Sequence, residues 1–188
     1  MFKIDLTHFS KEIVLDLFRS DDGDWGSILA SYMYDGGAGA CAVIITINGI
    51  VVVNDSKKHL RLHAHLLHNT LKSLNNAFYK LINGSAAEDV ILDLGSSAFE
   101  QLLLKASENN VLFSTTKYGF PSDNSIHNEP VDFSEACSEV IRLIRWYKDI
   151  WRSAEKDILK THPTFLLQYL FGPEWLPLEE SFKKYTRN

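Results

Sequence analysis

Residues 60–82 read LRLHAHLLHNTLKSLNNAFYKLI, and this stretch decides the fold. Leu60, Ala64, Leu67, Leu71, Leu74, Phe78 and Leu81 are spaced alternately by four and three residues. That spacing puts them on one face of a long amphipathic helix. Asn83-Gly84 is a C-terminal stop, and Asn54, Asp55 and Ser56 are candidate caps at the other end. Immediately upstream, Cys41 to Ile47 and Ile50 to Val53 are apolar, β-branched runs on either side of Asn48-Gly49. Asn-Gly between such runs is a two-residue hairpin turn, because both central positions need positive φ. Both faces of these strands are apolar, which predicts a central position in a sheet covered on both sides.

Working outward, Phe2 to Leu6 alternates apolar and polar residues as a half-buried strand does. Ile13 to Phe18 is a second candidate strand, and Ser20 to Asp24 a polar turn. Ile28 to Tyr34 is aromatic-rich and reads as a strand by propensity, closed by the loop Gly36-Gly37-Ala38-Gly39. Downstream, Val90 to Leu94 is a strand. Residues 98–107 admit two readings. Ser97 and Glu100 could form a capping box on a helix, whereas Gly95 and Glu108-Asn109-Asn110 look like the turns of a meander, and strand is preferred. Val111 to Tyr118 is a further strand and Gly119 to Pro130 a loop. Asp132 then caps a second long helix, with Glu135 at the reciprocal capping-box position. Its stripe is Phe133, Cys137, Val140, Ile144, Tyr147 and Trp151, stopped at Thr161-His162-Pro163. The remaining tail carries Phe165, Leu166, Leu167, Tyr169, Leu170, Phe171 and Trp175, too apolar to leave in water.

No linker, repeat or low-complexity tract interrupts this order. The expectation is one α+β domain over residues 1–188: an antiparallel meander with a central Asn-Gly hairpin, packed by two long helices, with residues 160–188 as a docked helical tail. Composition agrees. The chain is 45% hydrophobic and 12% aromatic, enough for a substantial core. Its net charge of −5 argues against non-specific binding to nucleic acid or an anionic membrane. The apolar run from Ala40 to Val53 is too short to span a bilayer. The opening residues MFKIDLTHFSKE do not read as a signal peptide. Two cysteines, Cys41 and Cys137, lie far apart in apolar settings and read as buried thiols. A cytoplasmic location is expected.

Candidate functional residues fall in three groups. His59, His63, His65 and His68 crowd the start of the first long helix. His59 and His63 have the i,i+4 spacing of paired zinc ligands. The HExxH pattern is absent, because Leu60, Arg61 and Leu62 stand between them. All four histidines cannot converge on one ion, and surface positions suit them better. Asp21, Asp22 and Asp24 with Trp25 form an acidic loop lacking the ligand frame of a calcium site. Such a loop is either a solvated turn or an acidic patch with an aromatic anchor for a basic partner. Trp146 lies off the stripe of its helix beside Arg142, Arg145 and Asp149. It is either covered by the tail, the preferred reading, or exposed as a binding hot spot. The glycines at 36–39 lack the spacing and lysine of a phosphate loop, and no Gly-x-Ser-x-Gly elbow occurs. No cofactor is expected.

The order of elements carries a resemblance. Asp22-Gly23-Asp24-Trp25 leads into an aromatic strand, and a long strand pair follows. A leucine-striped helix ending at Asn83-Gly84, a short meander and a loop into Asp132-Phe133 with its closing helix follow. Over roughly residues 12–150 this resembles the immunity proteins that accompany bacterial contact-dependent and polymorphic toxins, in particular the cell-wall-associated-toxin immunity type. The likeness is architectural, and the C-terminal tail departs from it. It implies a cytoplasmic, non-catalytic protein that binds and neutralises one cognate toxin domain, often a nuclease. No active-site residues carry over from such stoichiometric inhibitors. The competing readings are a structural or adaptor subunit forming a homo-oligomer, and a metal-dependent enzyme using His59 and His63.

Overall fold

The computed structural model describes residues 1–7, 9–19, 24–34, 40–54, 62–84, 90–93, 101–115 and 125–187. The hairpin around Asn48-Gly49 forms as its turn chemistry demands. Strands β2 (Ala40–Ile47) and β3 (Ile50–Asn54) flank it, with φ of 49° at Asn48 and 85° at Gly49. β1 (Phe2–Thr7) pairs antiparallel with β2 from Phe2↔Ile47 to Thr7↔Ala42, giving the order β1-β2-β3 with β2 central. A short strand β4 (Leu62–His63) pairs with the start of β2. The other strands form a separate meander. β5 (Val90–Asp93), β6 (Gln101–Ser107), β7 (Asn110–Thr115) and β8 (Glu129–Asp132) are antiparallel and adjacent in chain order. The fold is α+β as expected, with the antiparallel strands divided between two sheets. Residues 101–107 are strand, the preferred of the two readings, and Glu108 turns the chain with φ 49°.

Two segments expected as strands are helices. α1 (Lys11–Arg19) covers Ile13 to Phe18, and α2 (Trp25–Tyr34) covers Ile28 to Tyr34. Isoleucine, valine and tyrosine favour strands on average, but local caps decide here. The Ser10 hydroxyl accepts the Ile13 N–H at 3.5 Å and opens α1. Val14, Leu17 and Phe18 then fall on one buried helical face. The Gly119–Pro130 loop also ends early, because Glu129 and Pro130 belong to β8. Proline is tolerated there because β8 is the last strand of its sheet.

α3 (Ala64–Asn83) buries Leu67, Leu71, Leu74 and Phe78 almost completely, as the stripe predicts. It begins later than expected. His63 is in β4 and Asn54 ends β3, so Asn54 does not cap this helix, and Asp55, Ser56 and Leu60 lie outside the described residues. At its other end a Cβ on Gly84 would lie 2.5 Å from the Lys80 carbonyl oxygen, so only glycine fits the stop. α4 (Phe133–Thr161) is capped by Asp132, whose carboxylate accepts the Glu135 N–H at 2.8 Å. All six residues of its expected stripe are buried.

The capping box is not closed reciprocally, because Glu135 is engaged elsewhere. Its Oε1 accepts the Phe2 N–H at 3.0 Å, and Glu139 Oε1 accepts the Ile4 N–H at 3.1 Å. Four residues of helix rise about 6 Å and two residues of strand about 6.6 Å, so the two carboxylates match alternate N–H groups along the edge of β1. An edge that would otherwise invite another strand is thereby closed. At this junction Phe2 stacks on Phe113 at 5.0 Å and meets Phe78 at 6.3 Å, tying both sheets to α3.

After His162 the chain turns back along the helices. It makes a 3-10 turn at Leu167–Tyr169 and ends in α5 (Leu178–Tyr185), which packs on α3 and α4. The tail is docked, as its composition requires: Phe165, Leu170, Trp175 and Leu178 are all buried.

Candidate functional site

The site is built where α2 meets the tail. Asp24 fixes the start of α2. Its Oδ1 accepts the N–H groups of Gly26 at 2.9 Å and Ser27 at 3.2 Å, and its Oδ2 accepts the Ser27 hydroxyl at 2.7 Å. These bonds, that of the Ser27 hydroxyl first, hold the Asp24 carboxyl below its usual range. The cap sets Trp25 at the first helical position with its ring against the tail. The indole N–H donates to Thr164 Oγ1 at 2.9 Å. The ring meets Phe165 edge-on at 5.9 Å and Tyr169 at 5.0 Å. Phe165 is buried, but Tyr169 is 61% exposed and Leu166 45%. The result is an apolar surface of Trp25, Leu166 and Tyr169 beside an exposed carboxylate.

Of the residues singled out in the sequence, Asp24 and Trp25 are brought together here. Asp21 and Asp22 lie outside the described residues. Trp146 is half-buried, and the ring that meets it is Phe9, edge-on at 6.0 Å, rather than a ring of the tail. Its charged neighbours are engaged. Arg142 holds Glu139 at 2.7 Å, and Arg145 makes two bonds to Glu179 at 3.1 and 2.7 Å. Trp146 is thus a packing residue of the α1–α4 side, and no described contact joins it to Trp25.

The histidine pair loses its premise. His63 is in extended backbone before α3 begins, so helical i,i+4 geometry does not apply to it, and His59 lies outside the described residues. Among the described residues no group of three or more histidine, cysteine or acidic side chains could hold a metal ion. His68, expected near the surface, is 2% exposed, with Nδ1 3.1 Å from the Tyr147 hydroxyl. Burial, then Lys72, pushes its pKa down to about 4 against a weaker pull from Glu174, so it is neutral at pH 7. Position hints at this burial, because the core-facing stripe of α3 is wide enough to take in both His68 and Asn75. Cys137 is a buried thiol, pushed up to about 12 by burial and Asp132, which makes it unreactive.

Beside Tyr169 the tail and α3 form an open cavity of about 790 Å³. His68, Lys72, Tyr169, Phe171, Glu174 and Trp175 are among its lining residues. The tail is held over it largely by main-chain bonds to two asparagines. Asn75 Nδ2 donates to the Leu176 carbonyl at 2.8 Å, Asn76 Nδ2 donates to the Glu174 carbonyl at 2.9 Å, and Asn76 Oδ1 accepts the Leu176 N–H at 3.1 Å. The Trp175 indole donates to the Leu170 carbonyl at 3.0 Å. Lys148 of α4 sits with Nζ 5.3 Å from the ring centroids of both Phe171 and Trp175. Sequence reasoning missed Tyr169 and Leu166 as display residues, since an apolar tail carries no sign of which side chains its docking leaves outside.

The chain matches no family model, no curated protein and no solved structure. Among the described residues no helix is long and apolar enough to cross a membrane.

Proposed function

We propose that this chain is a non-catalytic binding protein whose partner docks on the surface of Asp24, Trp25, Leu166 and Tyr169. Within that reading it acts in the cytoplasm as an immunity-type inhibitor of a cognate toxin domain. One observation carries it: two distant segments of the chain converge to set the half-buried ring of Trp25 against the exposed ring of Tyr169, beside the exposed carboxylate of Asp24. Leaving large apolar side chains exposed forfeits burial free energy, and patches of this kind mark interaction surfaces. Tyrosine and tryptophan dominate the affinity of such surfaces. Net charge of −5 suits a basic partner, because complementary charge raises the rate of encounter. A nuclease that grips phosphate is basic in this way.

The test is to co-express the chain with the product of each reading frame adjacent to its gene. The reading expects one such product to arrest growth alone, and this chain to relieve the arrest through a one-to-one complex. Converting Asp21, Asp22 and Asp24 together to asparagine removes three charges while leaving position 24 able to cap α2. It should slow association and flatten its salt dependence. Recovery of the chain only with itself would favour the homo-oligomeric adaptor. A toxin complex indifferent to both Tyr169→Ala and the triple asparagine variant would move the interface elsewhere.

A further inference from the structure

The docking surface just described leaves the cavity beside it without a role, yet Tyr169 belongs to both. Its ring meets Trp25 at a tilt and also lines the cavity with Phe171 and Trp175. Two properties decide what such a cavity can hold.

Its walls are aromatic, and the faces of aromatic rings attract cations. The molecule already uses two of these rings so. Lys148, which is not among the lining residues, places its ammonium 5.3 Å from the centroids of both Phe171 and Trp175. The second property is the order in which charges are met. The Glu174 side chain is 72% exposed and that of Lys72 27%, so an entering group reaches the carboxylate first. Glu174 gives Oε2 to Lys72 at 2.7 Å, and a carboxylate has acceptor sites enough to bridge a second cation. His68, neutral in its buried position, adds no further positive charge to those of Lys72 and Lys148.

We propose that this cavity takes an arginine side chain presented by the partner, its guanidinium stacked on the aromatic wall and bonded to Glu174. Arginine is preferred over lysine because its planar fork can stack and hydrogen-bond at once. The identity of the presenting partner rests on the function proposed above; the chemistry of the pocket does not.

The experiment therefore uses a probe independent of any partner. N-acetyl-arginine amide is titrated into the full chain while the Trp175 indole N–H is followed by NMR. N-acetyl-norleucine amide, similar in length but uncharged, is the control. The arginine derivative should shift the Trp175 resonance saturably and bind about tenfold more tightly than the norleucine derivative. Glu174→Gln, an exposed and nearly isosteric change, should weaken arginine by a similar factor of about ten. Equal response to both derivatives, no response, or an arginine response unaltered by Glu174→Gln would each overturn the assignment. The two proposals fail separately. A pocket that binds the arginine probe in a chain with no basic partner keeps the pocket and removes the function. A toxin complex with no response to the probe keeps the function and removes the pocket.

Discussion

Phe165 to Trp175 is one apolar run with two fates. Phe165, Leu170 and Trp175 are buried, while Leu166 and Tyr169 stand in water between them. Composition does not distinguish these residues; what they meet does. In the buried set, Phe165 meets Phe18 of α1 and Trp25 of α2, and Trp175 meets His68 of α3 and Tyr147 of α4. The exposed set faces outward, with Trp25 at its edge. The tail therefore reads as an anchor that carries a display, and the two should separate under mutation: anchor changes cost stability, display changes cost binding.

The largest effect is expected at Trp175, which packs on His68 at 5.4 Å and on Phe171 at 5.4 Å and satisfies the Leu170 carbonyl. Trp175→Ala should lower unfolding free energy by about 3–5 kcal/mol, read from urea denaturation. A loss under about 1 kcal/mol would mean that the tail is not an anchor at all.

Next comes pH. His68 is held neutral in the fold, with a pKa near 4 against an ordinary 6.5. Between those values the unfolded chain binds the proton and the native chain does not. Stability should therefore be complete above pH 6.5 and fall as pH drops toward 4, by up to about 3 kcal/mol. Glu179 and Asp157, both held at about 2 by basic partners, act in a lower window, below their ordinary range and down toward pH 2. The stretch from pH 6.5 to 5 thus isolates the histidine. His68→Gln should flatten the curve there; an unchanged slope would assign it to another group.

A smaller effect is expected at Asn76, which clasps the Glu174 carbonyl and the Leu176 N–H together. Asn76→Ala should cost about 1–2 kcal/mol and speed hydrogen exchange at the Leu176 amide. Normal protection there would show that side-chain packing alone seats the anchor.

The same split between local and distant causes explains what could be read from the sequence. The β2–β3 hairpin and α4 are legible because turn chemistry, capping and periodicity all agree with the final packing. α1 and α2 are not, because their β-branched and aromatic residues favour strand, while of the residues that cap them Asp24 reads as the end of a polar turn and Ser10 has no reading as a cap. At the site, Asp24 and Trp25 stand out locally. Tyr169 joins them only through folding, and His68 meets Tyr147 across 79 residues of chain. No local pattern encodes such meetings.

The smallest effect on stability, and the sharpest test of the comparison, belongs to Tyr169. Its side chain is mostly in water, so Tyr169→Ala should change unfolding free energy by no more than about 0.5 kcal/mol. If the residue is a display, the same change should weaken partner binding about tenfold or more, as truncation of an exposed aromatic hot spot does. The ratio of the two effects is the quantity to measure. Trp175→Ala should show the reverse, with stability falling first and binding following because the tail no longer holds Tyr169 against Trp25. Were Tyr169→Ala to destabilise the fold as much as Trp175→Ala, its contact with Trp25 would be structural, and the exposed surface would lose its claim to be an interface.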